Sequence, residues 1–150
     1  MKNIMEQMNE EVVGAFTACG YDGKYARVTV SNRPDLCEFQ CNGALAAAKE
    51  YKKAPMIIAE EAAQKLTDSR VFAAAEAVKP GFLNLKVQES YLADYLCQMM
   101  DAEDYGNEKT EHPKTIMIDY GGPNIAKPLH VGHLRSAIIG ESIKRMGRYA

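Results

Sequence analysis

The stretch that most constrains this chain lies near its end. Residues 115–119 read Thr-Ile-Met-Ile-Asp, an apolar run of the length of a buried strand. Gly121, Gly122, Pro123 and Pro128 follow and break regular structure. An amphipathic stretch then starts near Val131, with Leu134, Ile138, Ile139, Ile143 and Met146 on a broad apolar face. The reading is strand, glycine-proline loop, helix. Such a unit sets a helix N-terminus at the carboxyl end of a parallel sheet, where nucleotide phosphates bind in open α/β folds. His130 and His133 stand at that helix start, with Gly132 between them. At this spacing both rings lie on roughly the same side of a helical start. Gly132 has no side chain to hold a flat ring away.

The four residues from His130 to His133 resemble the HIGH signature of class I aminoacyl-tRNA synthetases. The wider run from Pro123 through Asn124, Lys127 and the two histidines to Arg135 and Ser136 is similar, in register, to the arginyl-tRNA synthetases. Segments at 35–42 and 80–85 resemble that family's additional N-terminal domain, so the resemblance covers nearly the whole chain. Similar H-x-G-H motifs occur in pantetheine-phosphate-type enzymes. Another H-x-G-H nucleotidyltransferase is therefore one alternative, and a piece acting only as an RNA-binding module is a second.

The length, 150 residues, allows one medium domain, or one small domain plus a piece of another. With 47% apolar and 25% charged residues, the composition is that of an ordinary globular protein. No apolar run approaches the roughly 20 residues that span a bilayer. The first residues turn acidic at once and lack a signal-peptide core, so a cytoplasmic protein is expected. A net charge of −2 argues against a generic nucleic-acid binder. The charge is uneven, however: residues 1–110 carry a balance of −5 and residues 111–150 a balance of +3. The basic excess accompanies the histidine motif, as phosphate handling requires. Cys19, Cys37, Cys41 and Cys97 include no C-x-x-C pair, so free, partly buried thiols and no structural metal are expected.

Along the chain, residues 3–18 read as a helix with Ile4, Met8, Val12 and Phe16 on one stripe and Gly20 at its end. Residues 25–30 and 35–41 read as strands around a turn at 31–34. Asn42 suits the N-cap of a helix ending near Lys53. Pro55 opens a further helix with Ile58, Ala62 and Leu66 inward. Residues 71–78 and 82–87 form a hairpin about Lys79-Pro80-Gly81. Ser90 caps a last helix with a stripe of Leu92, Leu96 and Met99 or Met100. A small antiparallel sheet with helices on one face would bury these stripes. The expected fold is thus an α+β domain over 1–105, a polar linker over 106–114, and a second section over 115–150. By resemblance, that section is the first βα unit of a Rossmann-like class I catalytic domain. A lone βα unit cannot bury both faces of its strand, so a fragment of a longer protein is expected.

The resemblance implies an arginine–tRNA ligase that activates arginine with ATP, accompanied by Mg2+, and transfers it to tRNA(Arg). It also implies that tRNA must be bound for adenylate formation. His130 and His133 would be catalytic donors, and Lys127 and Gly132 would join them at ATP. Asn124 would bind arginine, the alternative being a bond to loop backbone. For Lys127 the alternative is a solvated surface lysine. Members of the family carry serines before Pro-Asn, where this chain has Gly121 and Gly122, so backbone groups or water would replace a hydroxyl contact. Arg135 and Ser136 match the pattern without a catalytic role.

Strand alternation sends Leu83, Leu85 and Val87 to one face and Phe82, Asn84 and Lys86 to the other. A phenyl ring, an amide and an ammonium on one open face can stack a splayed base, read its edge and touch phosphate. By resemblance, that base belongs to the tRNA D-loop. The alternative is that Phe82 covers a sheet edge. A monomer with no membrane partner is expected. The 150-residue piece by itself, holding only half of a nucleotide site, is expected to be inactive.

Overall fold

The computed structural model describes residues 1–122 and 126–150. The chain divides into two compact units, Lys2–Met100 and Asp101–Ala150, the latter joined by Met1.

The first unit opens with α1 (Ile4–Ala18). Asn3 Oδ1 accepts from the Glu6 N–H at 2.9 Å, and the Glu6 carboxylate accepts from the Asn3 N–H at 3.0 Å. Two otherwise orphaned donors are satisfied reciprocally. The other end closes on Gly20, at φ +83°. Gly20 N–H donates to Thr17 O and Tyr21 N–H to Phe16 O, both at 2.9 Å. That pair of bonds is a Schellman motif, and Tyr21 packs edge-on against Phe16 as the motif's apolar contact. The predicted stripe is inward: Met8, Val12 and Phe16 are fully buried. Each such side chain contributes roughly 1.5–3 kcal/mol of burial.

Four strands follow: β1 (Val28–Val30), β2 (Phe39–Cys41), β3 (Phe72–Val78) and β4 (Phe82–Val87). They form one antiparallel sheet in the order β1-β2-β4-β3. Phe39 faces Leu85, Gln40 faces Asn84 and Cys41 faces Leu83. On β3, Glu76 faces Asn84 and Val78 faces Phe82. Leu83, Leu85 and Cys41 point into the core, where α1, α2 (Gly43–Tyr51) and α3 (Pro55–Lys65) cover one face. Ile58, Ala62 and Leu66 are all buried, as their spacing predicts. The outer edge of β1 is partly closed by a side chain: Asn9 Oδ1 accepts from the Val28 N–H at 3.0 Å.

Several local expectations need correction. The first strand begins at Val28 rather than Tyr25, because Asp22 caps a 3-10 turn over Gly23–Tyr25 through the Lys24 N–H. The second begins at Phe39, since Leu36 and Cys37 donate back to Arg33 O and form a turn. Asn42 precedes α2 but makes no side-chain cap bond. The helix α4 (Glu89–Asp101) starts before Ser90, which lies inside the first turn. Its expected inward stripe faces out: Leu92, Leu96 and Met100 are 41%, 45% and 72% exposed. Instead Tyr91 packs on the core, its hydroxyl donating to Gln7 Oε1 at 2.6 Å. All four cysteines are free, with Cys37 and Cys41 buried and Cys97 exposed.

In the second unit the expected strand over 115–119 is not formed. A strand needs a neighbour to pair with, and among the described residues the only sheet is the one above. Ile116 and Met117 are 72% and 94% exposed. The helix does form, as α5 (Val131–Tyr149). Its apolar residues Leu134, Ile138, Ile139, Ile143 and Met146 are exposed.

Candidate functional site

The two histidines cap the helix they begin. His130 is the N-cap residue, with φ −136° and ψ 173°. Its Nδ1 accepts from the Gly132 N–H at 3.1 Å, and His133 Nδ1 accepts from the His130 N–H at 3.2 Å. A neutral imidazole whose Nδ1 accepts carries its proton on Nε2. Each ring then keeps an Nε2–H donor apart from its capping bond. The ring centroids are 4.1 Å apart and tilted by 47°. The structure thus brings the pair together on one side, as the spacing predicts. The first-turn amides of α5 lie beside these donors, and the helix dipole adds positive potential there.

Gly132 has a reason of its own to lack a side chain. A Cβ built on it would stand 2.9 Å from His130 Cε1 and 3.0 Å from His130 Nδ1. The His130 ring leans over this glycine, so a side chain here would push the ring off its cap.

Beside the histidines lies a groove of about 590 Å³ lined by Tyr120, Leu129, His130, His133, Leu134 and Ala137 among others. Its wall is largely apolar with imidazole donors at one end. That combination suits a flat heterocycle carrying an anionic group. Lys127 is exposed in the bend before the helix. Asn124 lies outside the described residues.

Tyr120 was not among the residues singled out by the sequence. Its hydroxyl donates to Glu141 Oε2 at 2.5 Å. Glu141 is also paired with Lys144 at 2.6 Å and Arg145 at 3.0 Å. Hydrogen bonds from Lys144, then from Tyr120 and Arg145, hold the Glu141 carboxyl down at about 2. The available signal was the i,i+3 and i,i+4 spacing of Glu141 from Lys144 and Arg145. Nothing in that spacing points to Tyr120.

In the other unit, the open face of the sheet carries Phe82, Asn84 and Lys86 on β4. Phe82 and Asn84 are half-buried and Lys86 is exposed. Gln40 Nε2 donates to Asn84 Oδ1 at 3.1 Å. The amide of Asn84 is thereby oriented. Thr29, Gln40, Asn84 and Glu76 form one cross-strand row. The sequence reading missed Gln40, Thr29 and Glu76 as neighbours of this site, although alternation on each strand carried the signal.

Comparison with known proteins identifies the class first. Residues 95–149 match the family described as "tRNA synthetases class I (R), catalytic domain". The histidine-capped helix falls inside that match. Residues 2–87 match the family described as "Arginyl tRNA synthetase N terminal domain". The chain belongs to the arginyl-tRNA synthetase family. It is 58% identical over 150 residues to an arginine–tRNA ligase of Agathobacter rectalis, a match covering 99% of this chain and 25% of that one. An arginine–tRNA ligase of Alkaliphilus oremlandii is 53% identical over 149 residues, again with 25% of its length covered. The chain therefore spans about a quarter of the length of these curated relatives. Among solved structures, arginyl-tRNA synthetase from Plasmodium falciparum aligns with a TM-score of 0.62 at 25% identity, covering 99% of this chain and 29% of that one. The Thermus thermophilus enzyme aligns at 0.52, also at 25% identity, over 97% of this chain and 23% of its own.

Proposed function

We propose that this chain contributes a tRNA-contacting domain and the opening of the adenylation site to an arginine–tRNA ligase. The observation that carries the reading is the pair of histidines that cap a helix N-terminus through Nδ1, within a chain whose two sections match the two family descriptions in order. The arginine carboxylate attacks the α-phosphate of ATP and pyrophosphate leaves. The arginyl group then passes to the 3′ end of tRNA(Arg). Negative charge grows on the phosphoryl oxygens in the first step, and fixed donors stabilise it. His130 and His133 supply those donors. Lys127 neutralises triphosphate, and the backbone at Gly132 gives adenosine a close approach. Asn124 holds the amino acid's ammonium and carboxylate groups.

Residues 1–105 then act as the tRNA-binding domain, with Phe82, Asn84 and Lys86 against a D-loop base. Residues 106–114 link them to the catalytic section, 115–150. Magnesium enters with the nucleotide, held by its phosphates. No helix among the described residues is long and apolar enough to cross a membrane. The setting we propose is a monomer in the cytoplasm. The 150-residue chain alone, a quarter of the length of its curated relatives, is expected to form no adenylate.

The test uses the full-length protein. ATP–pyrophosphate exchange is measured with each amino acid in turn, tRNA(Arg) present. Exchange with arginine alone is expected. Exchange with a different amino acid, or none with arginine, would remove this reading.

A further inference from the structure

Tyr120 occupies a place that the proposed chemistry does not explain. It immediately precedes Gly121 and Gly122, at the entrance of the loop that ends at His130. Its ring lies against α5 at Gly140, the one buried residue of that helix. A Cβ built on Gly140 would stand 2.1 Å from Tyr120 Cγ and 2.2 Å from Tyr120 Cβ, so the ring fills the space that any side chain there would take. The hydroxyl donates to Glu141, which Lys144 and Arg145 hold in turn. Lys144 Nζ also sits 5.9 Å from the Tyr120 ring centroid. Gly140 lies two helical turns beyond His133, on the same side of α5. Tyr120 and both histidines line one groove.

The helix therefore fixes both ends of the loop. Its exit is tied by the His130 cap, and its entrance by a ring seated on Gly140. We propose that Tyr120 is a positioning residue of the adenylation site: its ring on Gly140 and its hydroxyl on Glu141 set the loop entrance against the helix that carries His130 and His133. It touches no reacting atom. It acts by fixing the width of the groove in which nucleotide and histidines meet. This rests on the function proposed above.

The experiment uses the full-length protein and arginine-dependent pyrophosphate exchange at saturating tRNA. Tyr120→Ala removes both ring and hydroxyl. We expect kcat to fall about 10-fold to 100-fold, the cost of a misplacement of about 1 Å, with the KM values for ATP and arginine nearly unchanged. Tyr120→Phe keeps the ring and should restore most of the rate. Gly140→Ala is the decisive variant. It unseats the ring but adds a residue that favours helix over glycine. A lowered kcat per folded protein, measured well below the melting transition, is expected, alongside a lowered melting temperature because the Tyr120 Cβ and Cγ must be displaced. Wild-type kcat in Gly140→Ala would overturn the inference. So would rate losses in Gly140→Ala and Tyr120→Ala that merely follow loss of folded protein. If the wild-type protein itself shows no arginine-dependent exchange, the functional reading fails instead, and the two failures are told apart by that control.

Discussion

Nδ1 of His130 caps α5 through the Gly132 N–H, while the function proposed above gives its Nε2–H to the substrate. The two roles separate by substitution in the full-length protein. Asparagine is a good N-cap but lacks a donor where Nε2 stands, so His130→Asn keeps the cap and loses the catalytic contact. His130→Ala loses both. We expect kcat for pyrophosphate exchange to fall in each by the equivalent of roughly 2.7–4 kcal/mol, the value of an oxyanion-hole donor. Arginine KM should change little, because the contact strengthens only in the transition state. Only His130→Ala should also destabilise the helix, by roughly 1 kcal/mol. Kinetics and thermal melting on both variants check this, and wild-type exchange by His130→Asn would reduce the residue to a cap. At this scale the sequence was informative about residue type and spacing, which together place both histidines at a helix start. It was silent on the double use of each ring, because a capping histidine has no signature distinct from a catalytic one. It also assigned Gly132 to adenosine alone. The structure adds that the His130 ring needs the same space.

Between elements, the ends of α1 and α2 are braced to α3 through one cluster. The Tyr21 hydroxyl donates to Glu61, Lys53 Nζ donates to the Tyr21 hydroxyl at 2.8 Å, and Lys53 pairs with Glu61 at 3.3 Å. Tyr21 is buried and meets Tyr51 edge-on at 4.9 Å. The Tyr21 hydrogen bond, and then Lys53, hold the Glu61 carboxyl below its ordinary value of 4.5. A carboxyl depressed on folding stabilises above its unfolded value, and the contribution is lost as pH falls through the folded one. The brace should therefore be intact at neutral pH and weaken on acidification below 4.5. Melting curves at about pH 6 and about pH 3 should show a smaller acid loss for Glu61→Gln than for wild type; equal losses would mean the brace contributes nothing. None of this cluster was legible in the sequence, because its members lie just beyond the ends of α1 and α2 and within α3, far apart along the chain. The helices themselves were legible, since Met8, Val12 and Phe16 repeat every fourth position and Pro55 marks a start. Strand ends were not, because Asp22 and Arg33 form local turns that compete with pairing. Periodicity on α4 and α5 correctly gave an apolar face but could not say what covers it. The run at 115–119 has the composition of a strand without a neighbour to pair with among the described residues.

At the scale of the molecule, the two candidate sites belong to separate compact units and should fail separately. The sheet face offers Phe82 for stacking and Asn84, oriented by Gln40, for reading a base edge. Phe82→Ala in the full-length protein should cost about 1–3 kcal/mol of tRNA binding, the value of one base on an aromatic platform. Asn84→Ala should act on the same base. Gln40→Leu adds a test specific to this structure, because it frees the Asn84 amide to rotate while leaving Asn84 in place. It should raise the KM for tRNA less than Asn84→Ala does. By the family resemblance, adenylate formation itself needs bound tRNA, so exchange assays at low tRNA would confuse a binding defect with a catalytic one. The comparison is therefore made at saturating tRNA, where a binding defect disappears and a loss at His130 or His133 persists. Phe82 also pairs with Val78 across the β3–β4 hairpin, so its loss touches the sheet as well. Melting measurements separate the two effects. A raised tRNA KM in a protein that melts normally supports recognition, whereas a lowered melting temperature with unchanged tRNA KM makes Phe82 a packing residue and removes the sheet face from tRNA recognition.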